Sequence, residues 1–241
     1  MTVIKFLFLQ LQESYYLLPS LLIIGTFLYN THISFLLFFN EFYYSGISSL
    51  LMNLTLQPSD IKTNAFFELI KETLSFSWKI QKKLKIIGPM KAVLYVELEG
   101  CNDANIFAGV RKFQNENHIP FEGSYGFGGD MVTKGWLKAS LRNLSPDLST
   151  PWESQHIFDK QELLKPKQIV CLEISLLPSA TLFHKDDILR LDIQGEWFYR
   201  KNPFFSQFAD YEKSLPGKGI IHCGNEYKSL LLIPVIERDE N

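Results

Sequence analysis

The chain reads as an all-β protein: an antiparallel sandwich preceded by a hydrophobic N-terminal segment. Three observations predict this. From about Asn64 onward, apolar and polar residues alternate with period two in run after run. Each run is short, rich in Val, Ile, Leu, Phe or Tyr, and closed by turn residues. No long helical pattern separates the runs, which argues against βαβ units and for antiparallel pairing. Alternating strands have one apolar face, and two such sheets hide those faces against each other.

The elements follow in order. Thr73–Ile80 (TLSFSWKI) alternates polar with apolar. Lys91–Glu99 (KAVLYVELE) places Val93, Tyr95 and Glu97 on one side and Leu94, Val96 and Leu98 on the other. Asn105–Phe113 (NIFAGVRKF), Met131–Leu141, Gln168–Leu176 (QIVCLEISL), Ile188–Ile193 (ILRLDI), Lys218–Cys223 and Ser229–Ile236 continue the pattern. Gly88-Pro89, Gly100, Gly123, Ser145-Pro146, Lys185-Asp186-Asp187 and Gly224-Asn225 read as the turns between them. Residues 114–130 and 142–166 are polar and contain Gly or Pro, so they read as surface excursions, with one helical turn within Asp147–Asp159.

Composition narrows the function classes. A formal net charge of −2 over 241 residues gives no electrostatic case for nucleic acid. The densest basic cluster, Lys79, Lys82, Lys83 and Lys85, reads as a solvated strand-and-turn face. The 3 cysteines, Cys101, Cys171 and Cys223, lie far apart, without CxxC or Cys/His ligand spacing. That argues against a structural zinc site and favours a reducing, cytoplasmic compartment. No cofactor motif is present.

Residues 1–64 differ from the rest: they lack Ala, Arg, Trp and Cys, and no charged side chain occurs from Ser14 to Asn40. Residues 17–39 are long enough for a membrane helix, which needs roughly 20 mostly apolar residues. Pro19, Asn30 and His32 weaken that reading, and Glu13 and Glu41 leave orientation barely specified. A signal peptide fits poorly, because the basic region is thin and no A-x-A site follows. Three readings stay open for this segment: translated non-coding sequence, a membrane anchor, or a buried helical appendage. The globular domain is expected over residues 65–241.

Several blocks carry a family resemblance in one register. Phe107–Phe113 (FAGVRKF), Pro120–Leu144 (PFEGSYGFGGDMVTKGWLKASLRNL), Leu172–Gly195 (LEISLLPSATLFHKDDILRLDIQG) and Gly219–Ile236 (GIIHCGNEYKSLLLIPVI) resemble the C-terminal non-catalytic domain of the Xaa-Pro dipeptidyl-peptidase / cocaine esterase (CocE/NonD) hydrolases. The resemblance spans about Thr73 to Ile236. It implies a jelly-roll sandwich with a galactose-binding-like fold. It also implies an α/β-hydrolase domain as partner, carrying a Ser-Asp-His triad with its nucleophile in a G-x-S-x-G elbow.

No triad position transfers to this chain. Ser124, in Gly123-Ser124-Tyr125-Gly126, is one place too early for an elbow and sits between expected strands. Of the 5 histidines, His156 and His184 lie near Asp159 and Asp187 only in sequence, and both read as turn or surface residues. His222 and Cys223 are strand neighbours, so they point to opposite faces and form no dyad. Gly126, Gly128 and Gly129 lack phosphate-loop spacing and a following helix. Asp186, Asp187 and Asp192 match no calcium loop, and the first two fit a turn.

The aromatic cluster Trp197, Phe198, Tyr199, Phe204, Phe205, Phe208 and Tyr211 stands out. It is either a loop folded onto its own core or a docking surface for a hydrolase domain. The expectation is therefore an accessory domain without its own catalytic residues, inactive alone. The alternatives are a free carbohydrate-binding module, which needs coplanar exposed aromatics, and an accessory subunit tethered to a membrane through residues 17–39.

Overall fold

A computed structural model describes residues 51–56, 64–121, 130–199, 214–224 and 226–236. All of them fall within one compact unit, Leu50–Asn241. The segment 17–39, Ser124 and the glycines at 126, 128 and 129 lie outside the described residues, as do Phe204, Phe205, Phe208 and Tyr211. No helix among the described residues is long and apolar enough to cross a membrane.

The regular secondary structure of the described residues is almost entirely strand, arranged as two antiparallel sheets that form a sandwich. The first sheet is built on β4 (Leu84–Glu99). On one side β4 pairs along most of its length with β8 (Val170–Phe183). On the other side it pairs first with β12 (Leu230–Ile236) and then with β10 (Lys218–Gly224). Strand β1 (Leu51–Thr55) extends the sheet beyond β12, and β2 (Asn64–Glu68) extends it beyond β10. The short β11 (Tyr227–Lys228) forms a hairpin with β10. Strand β1 lies N-terminal to the boundary at 64/65 that composition suggested.

The second sheet is built on β5 (Asn105–Gln114). One edge of β5 pairs with β9 (Ile188–Gln194), which in turn pairs with β3 (Leu74–Lys79). Its other edge is shared by β7 (Thr133–Lys138) and β6 (Asn117–Ile119). Strand β7 also packs against β8 and closes one side of the sandwich. There the Thr133 hydroxyl donates to the Leu177 carbonyl. A Cβ on Gly135 would lie 2.2 Å from the Ser175 carbonyl oxygen, so only glycine allows the two backbones to approach this closely.

The core follows the alternation. Met90, Ala92, Leu94, Val96 and Leu98 from β4 and Leu172, Ile174 and Leu176 from β8 meet Ile106, Ala108 and Val110 from β5 and Leu189, Leu191 and Ile193 from β9. The inward position Lys112 ends this series at the edge of the core. Its ammonium lies 3.1 Å from Asp187 Oδ2 and donates to the Leu182 carbonyl at 2.7 Å. Asp187 Oδ2 also accepts the His184 N–H at 2.7 Å, and Asp186 has φ 71, so 184–187 is a turn locked by its own carboxylate.

Two local features differ from the sequence expectation. Gly88-Pro89 does not end a strand; β4 runs through it. The register to β8 shifts between Gly88 and Met90, and Gly88 has φ 129. The proline has no N–H to place in a ladder, and a bulge accommodates it inside a long strand. In the excursion after residue 141 the helical turn begins earlier than expected and is a single turn, with the Ser149 N–H donating to the Ser145 carbonyl at 3.0 Å. This loop is anchored by buried Trp152 and Leu164.

Candidate functional site

The outward face of the five-stranded sheet gathers most of the chemistry. Alternation on β5 sends Phe107, Gly109, Arg111 and Phe113 outward, between the core positions just named. On β9 the outward set is Ile188, Arg190, Asp192 and Gln194, and on β7 it is Lys134, Trp136 and Lys138. The register aligns them in rows: Phe107 opposite Gln194 and Trp136, Gly109 opposite Asp192 and Lys134, Arg111 opposite Arg190.

One end of this face is an aromatic ridge. Trp197 meets Phe107 edge-on at 5.6 Å, Trp136 at 5.5 Å and Tyr199 at 5.7 Å. Trp136 is 46% exposed, whereas Phe107 is covered. Gly109 makes the packing feasible: a Cβ there would lie 2.3 Å from Met131 Cε and 3.0 Å from Phe198 Cε2. Tyr199 is fastened by its hydroxyl, which donates to Asp130 Oδ1 and accepts the Met131 N–H at 3.2 Å. Burial, and then the carboxylate of Asp130, push the Tyr199 phenol far above its ordinary value, so it stays protonated. Burial alone would raise Asp130. The ammonium of Lys134 at 2.5 Å, the Tyr199 hydroxyl and the Met131 N–H at 2.7 Å outweigh it and hold the carboxyl below its ordinary value.

The other end is an open hollow of ≈ 350 Å³ lined by Thr73, Ser75, Arg111, Phe113, His118, Arg190, Asp192 and Gln194. The Asp192 carboxylate, 3% exposed, is its anchor. Arg111 Nε lies 2.9 Å from Oδ2, Arg190 Nη2 donates to Oδ2 at 3.1 Å, and the Ser75 hydroxyl donates to Oδ1 at 2.7 Å. Arg190 Nε is 2.8 Å from Oδ1, but its N–H is not aimed along that line. The Arg190 guanidinium sits 4.2 Å from the centre of the Phe113 ring. His118 packs on the same ring at 5.3 Å, and its Nε2 is buried without a hydrogen-bond partner. Burial, then the charges of Arg111 and Arg190, lower the His118 pKa and favour the neutral imidazole.

The outward face of the seven-stranded sheet carries a second polar cluster. The Lys91 ammonium lies 2.7 Å from Glu173 Oε2 and 3.3 Å from the Ser154 hydroxyl, which itself donates to Glu173 at 2.5 Å. His156 Nε2 contacts the Glu173 backbone carbonyl at 2.9 Å. Serine, lysine and histidine thus all turn toward one glutamate. An activated serine needs a base that accepts its proton while the hydroxyl faces substrate. Here the hydroxyl is spent on a carboxylate, and the lysine is an ion-pair partner.

The sequence candidates are placed as follows. Trp197, Phe198 and Tyr199 lie half-buried on the outside of the sandwich. Their rings cross at 52° to 85° with their neighbours, whereas a sugar platform needs coplanar rings. His222 faces outward to Glu97 Oε2 at 3.1 Å, while Cys223 points into the core, its thiol pushed up to about 11 by burial. His184 is an exposed turn residue. Asp192, weighed for calcium, is held between two arginines, and no group of three or more potential metal ligands occurs among the described residues. Sequence reading passed over Arg111, Arg190, Ser75, His118 and Asp130. The available signal was the alternation itself, which assigns Arg111, Arg190 and Asp192 to one outward face once β5 and β9 are known to pair.

The X-Pro dipeptidyl-peptidase C-terminal non-catalytic domain model matches residues 69–232. Among solved structures, a CocE/NonD family hydrolase from Staphylococcus aureus is 26% identical with a TM-score of 0.71, covering 77% of this chain and 36% of its own. A second structure of that hydrolase gives 24% identity and a TM-score of 0.72, covering 78% and 37%. An aminopeptidase from a marine sediment Thaumarchaeota archaeon shares the fold at 15% identity and a TM-score of 0.53, covering 78% of this chain and 37% of its own. This chain therefore spans little more than a third of the length of these proteins. No match is found among curated proteins.

Proposed function

The chain belongs to the X-Pro dipeptidyl-peptidase C-terminal non-catalytic domain family, and from that premise we propose that it is the accessory sandwich of a serine hydrolase, bracing a catalytic α/β-hydrolase domain. The parent reaction is acyl transfer to a serine, releasing X-Pro dipeptides or cleaving esters or amides. The observation that carries this reading is the family match across residues 69–232, in register with a CocE/NonD hydrolase of which it covers 36%. The geometry agrees with a division of labour. Among the described residues, the Ser154 hydroxyl is committed to Glu173 and the Ser75 hydroxyl of the hollow to Asp192, and neither is paired with an imidazole.

The docking surface in this reading is the aromatic ridge. Trp136, together with Trp197, Phe198 and Tyr199, presents apolar rings on a rigid sheet, with Phe204, Phe205, Phe208 and Tyr211 following in the chain. Permanent interfaces bury roughly 2,000 Å² or more in total and concentrate their energy in aromatic and arginine anchors.

The test is activity-based labelling. The endogenous protein is captured through the sandwich, treated with a fluorophosphonate that marks activated serines, and mapped by peptide sequencing. The expected result is a labelled G-x-S-x-G peptide, in the same polypeptide or in a tightly bound second one. Capture of this chain alone, with no labelled serine, would overturn the proposal.

A further inference from the structure

We propose that the hollow over β3, β9 and β5 is a binding site for a small monocarboxylate, received by the guanidinium groups of Arg111 and Arg190. Arg111 and Arg190 are direct cross-strand partners, an arrangement of like charges that is unfavourable by itself. One carboxylate, Asp192, bridges them and leaves an excess of one positive charge. A monoanion completes that balance. A dianion such as phosphate would place surplus negative charge beside the buried Asp192.

Both oxygens of Asp192 are engaged: Oδ1 takes the Ser75 hydroxyl, and Oδ2 takes Arg111 Nε and Arg190 Nη2. The cations are engaged only in part. Among the described residues, neither Nη group of Arg111 nor Nη1 of Arg190 has an acceptor in the protein. Both side chains line the hollow, and a planar guanidinium edge matches a carboxylate with two parallel N–H···O bonds.

The site is also preorganised. Arg190 is clamped between the Phe113 ring at 4.2 Å and Asp192, and Arg111 is tied to Asp192 through Nε. Little side-chain freedom remains to be lost when a ligand arrives. The rim is polar and equally fixed, with the Thr73 hydroxyl donating to Gln194 Oε1 at 2.6 Å.

The test is a titration of the full 241-residue chain with sodium acetate at low ionic strength, against sodium chloride at matched ionic strength. It is followed by calorimetry and by the imidazole NMR signals of His118, which borders both arginines. The expected result is a saturable response to acetate and none to chloride. Arg111→Lys keeps a cation opposite Asp192 but removes the fork, and weakens acetate binding about tenfold; Arg190→Lys does the same. Chloride reproducing the acetate response, no response to acetate, or a folded Arg111→Lys chain with unchanged affinity would each overturn the proposal. None of these outcomes depends on whether the chain docks to a hydrolase domain, which the serine-labelling experiment decides separately.

Discussion

On the outer face of the seven-stranded sheet Glu173 is matched by one ammonium, that of Lys91. On the outer face of the five-stranded sheet Asp192 is matched by two guanidiniums, those of Arg111 and Arg190. Both carboxylates sit on strands that alternate in the same way. In the first cluster the charges are equal, and the lysine side chain is 6% exposed. Ser154 and the loop around His156 cover it. In the second the charges are unequal, and the Arg190 side chain is 32% exposed over a hollow. A balanced, covered ion pair fastens a loop to a sheet. An unbalanced, open one has capacity left for a ligand. Side-chain type alone does not separate the two; the charge count and the cover do.

Substitutions at the two carboxylates should break this comparison most visibly. Glu173→Ala leaves the Lys91 ammonium buried with only a hydroxyl beside it, and should lower unfolding free energy by about 3–5 kcal/mol. Asp192→Ala leaves two guanidiniums that still reach water, so the loss should be smaller, about 2–3 kcal/mol. Urea unfolding of both variants under the same conditions decides the matter. Equal losses would mean that the two faces do not differ in the way described.

Gly109→Ala should have the next largest effect. The new methyl meets Met131 Cε at 2.3 Å and Sδ at 2.6 Å, the end of a flexible side chain, before it meets Phe198. Met131 can swing aside, so the expected cost is about 1–2 kcal/mol. The ridge should loosen with it, read as a red shift and gain of mobility in tryptophan fluorescence. No fluorescence change would place Met131 and Phe198 outside the packing of Trp197.

The smallest effect is in pH dependence, and it has opposite origins on the two faces. Burial would raise the Glu173 carboxyl, but the Lys91 and Ser154 hydrogen bonds outweigh it and hold it below 4.5. Its stabilisation is present above pH 4.5 and is lost as pH falls through the folded value. His118 is lowered below 6.5 by burial and by Arg111 and Arg190. Between its folded value and 6.5 the unfolded chain binds the extra proton, so stability declines as pH falls through that window. His118→Gln should therefore lose less stability between pH 7 and pH 5 than the parent chain does. Glu173→Gln should lose less below pH 4.5. Urea midpoints at pH 7, 5 and 3.5 measure both; identical profiles for parent and His118→Gln would remove the imidazole from the account.

Much of this was legible in the strand runs. Leu189, Leu191 and Ile193 announce one face of β9, and Arg190, Asp192 and Gln194 the other, because a strand reverses its side chains at every residue. The blocks containing Phe107–Phe113 and Leu172–Gly195 carried the family resemblance, and they supply the two central strands of the face described here. The bulge at Gly88-Pro89 was not legible. The dipeptide has the composition of a turn, and only pairing with β8 on both sides of it shows that the strand continues. The hollow was also hidden, since Ser75, Arg111, His118 and Asp192 lie on four strands, and no spacing rule links them.

The sequence by itself determined the fold class and the inward or outward sense of each strand residue, because period-two alternation is a local property of the extended backbone. It also determined the family, through several blocks in one register. Tertiary structure alone decided which outward residues meet. Pairing β9 with β5 sets Arg111 opposite Arg190 with Asp192 one row away, and the loop after β9 lays Trp197 across Phe107 and Trp136. Charge excess and open donors are properties of that juxtaposition. They arise from contacts between residues far apart in the chain, which alternation along a single strand does not encode.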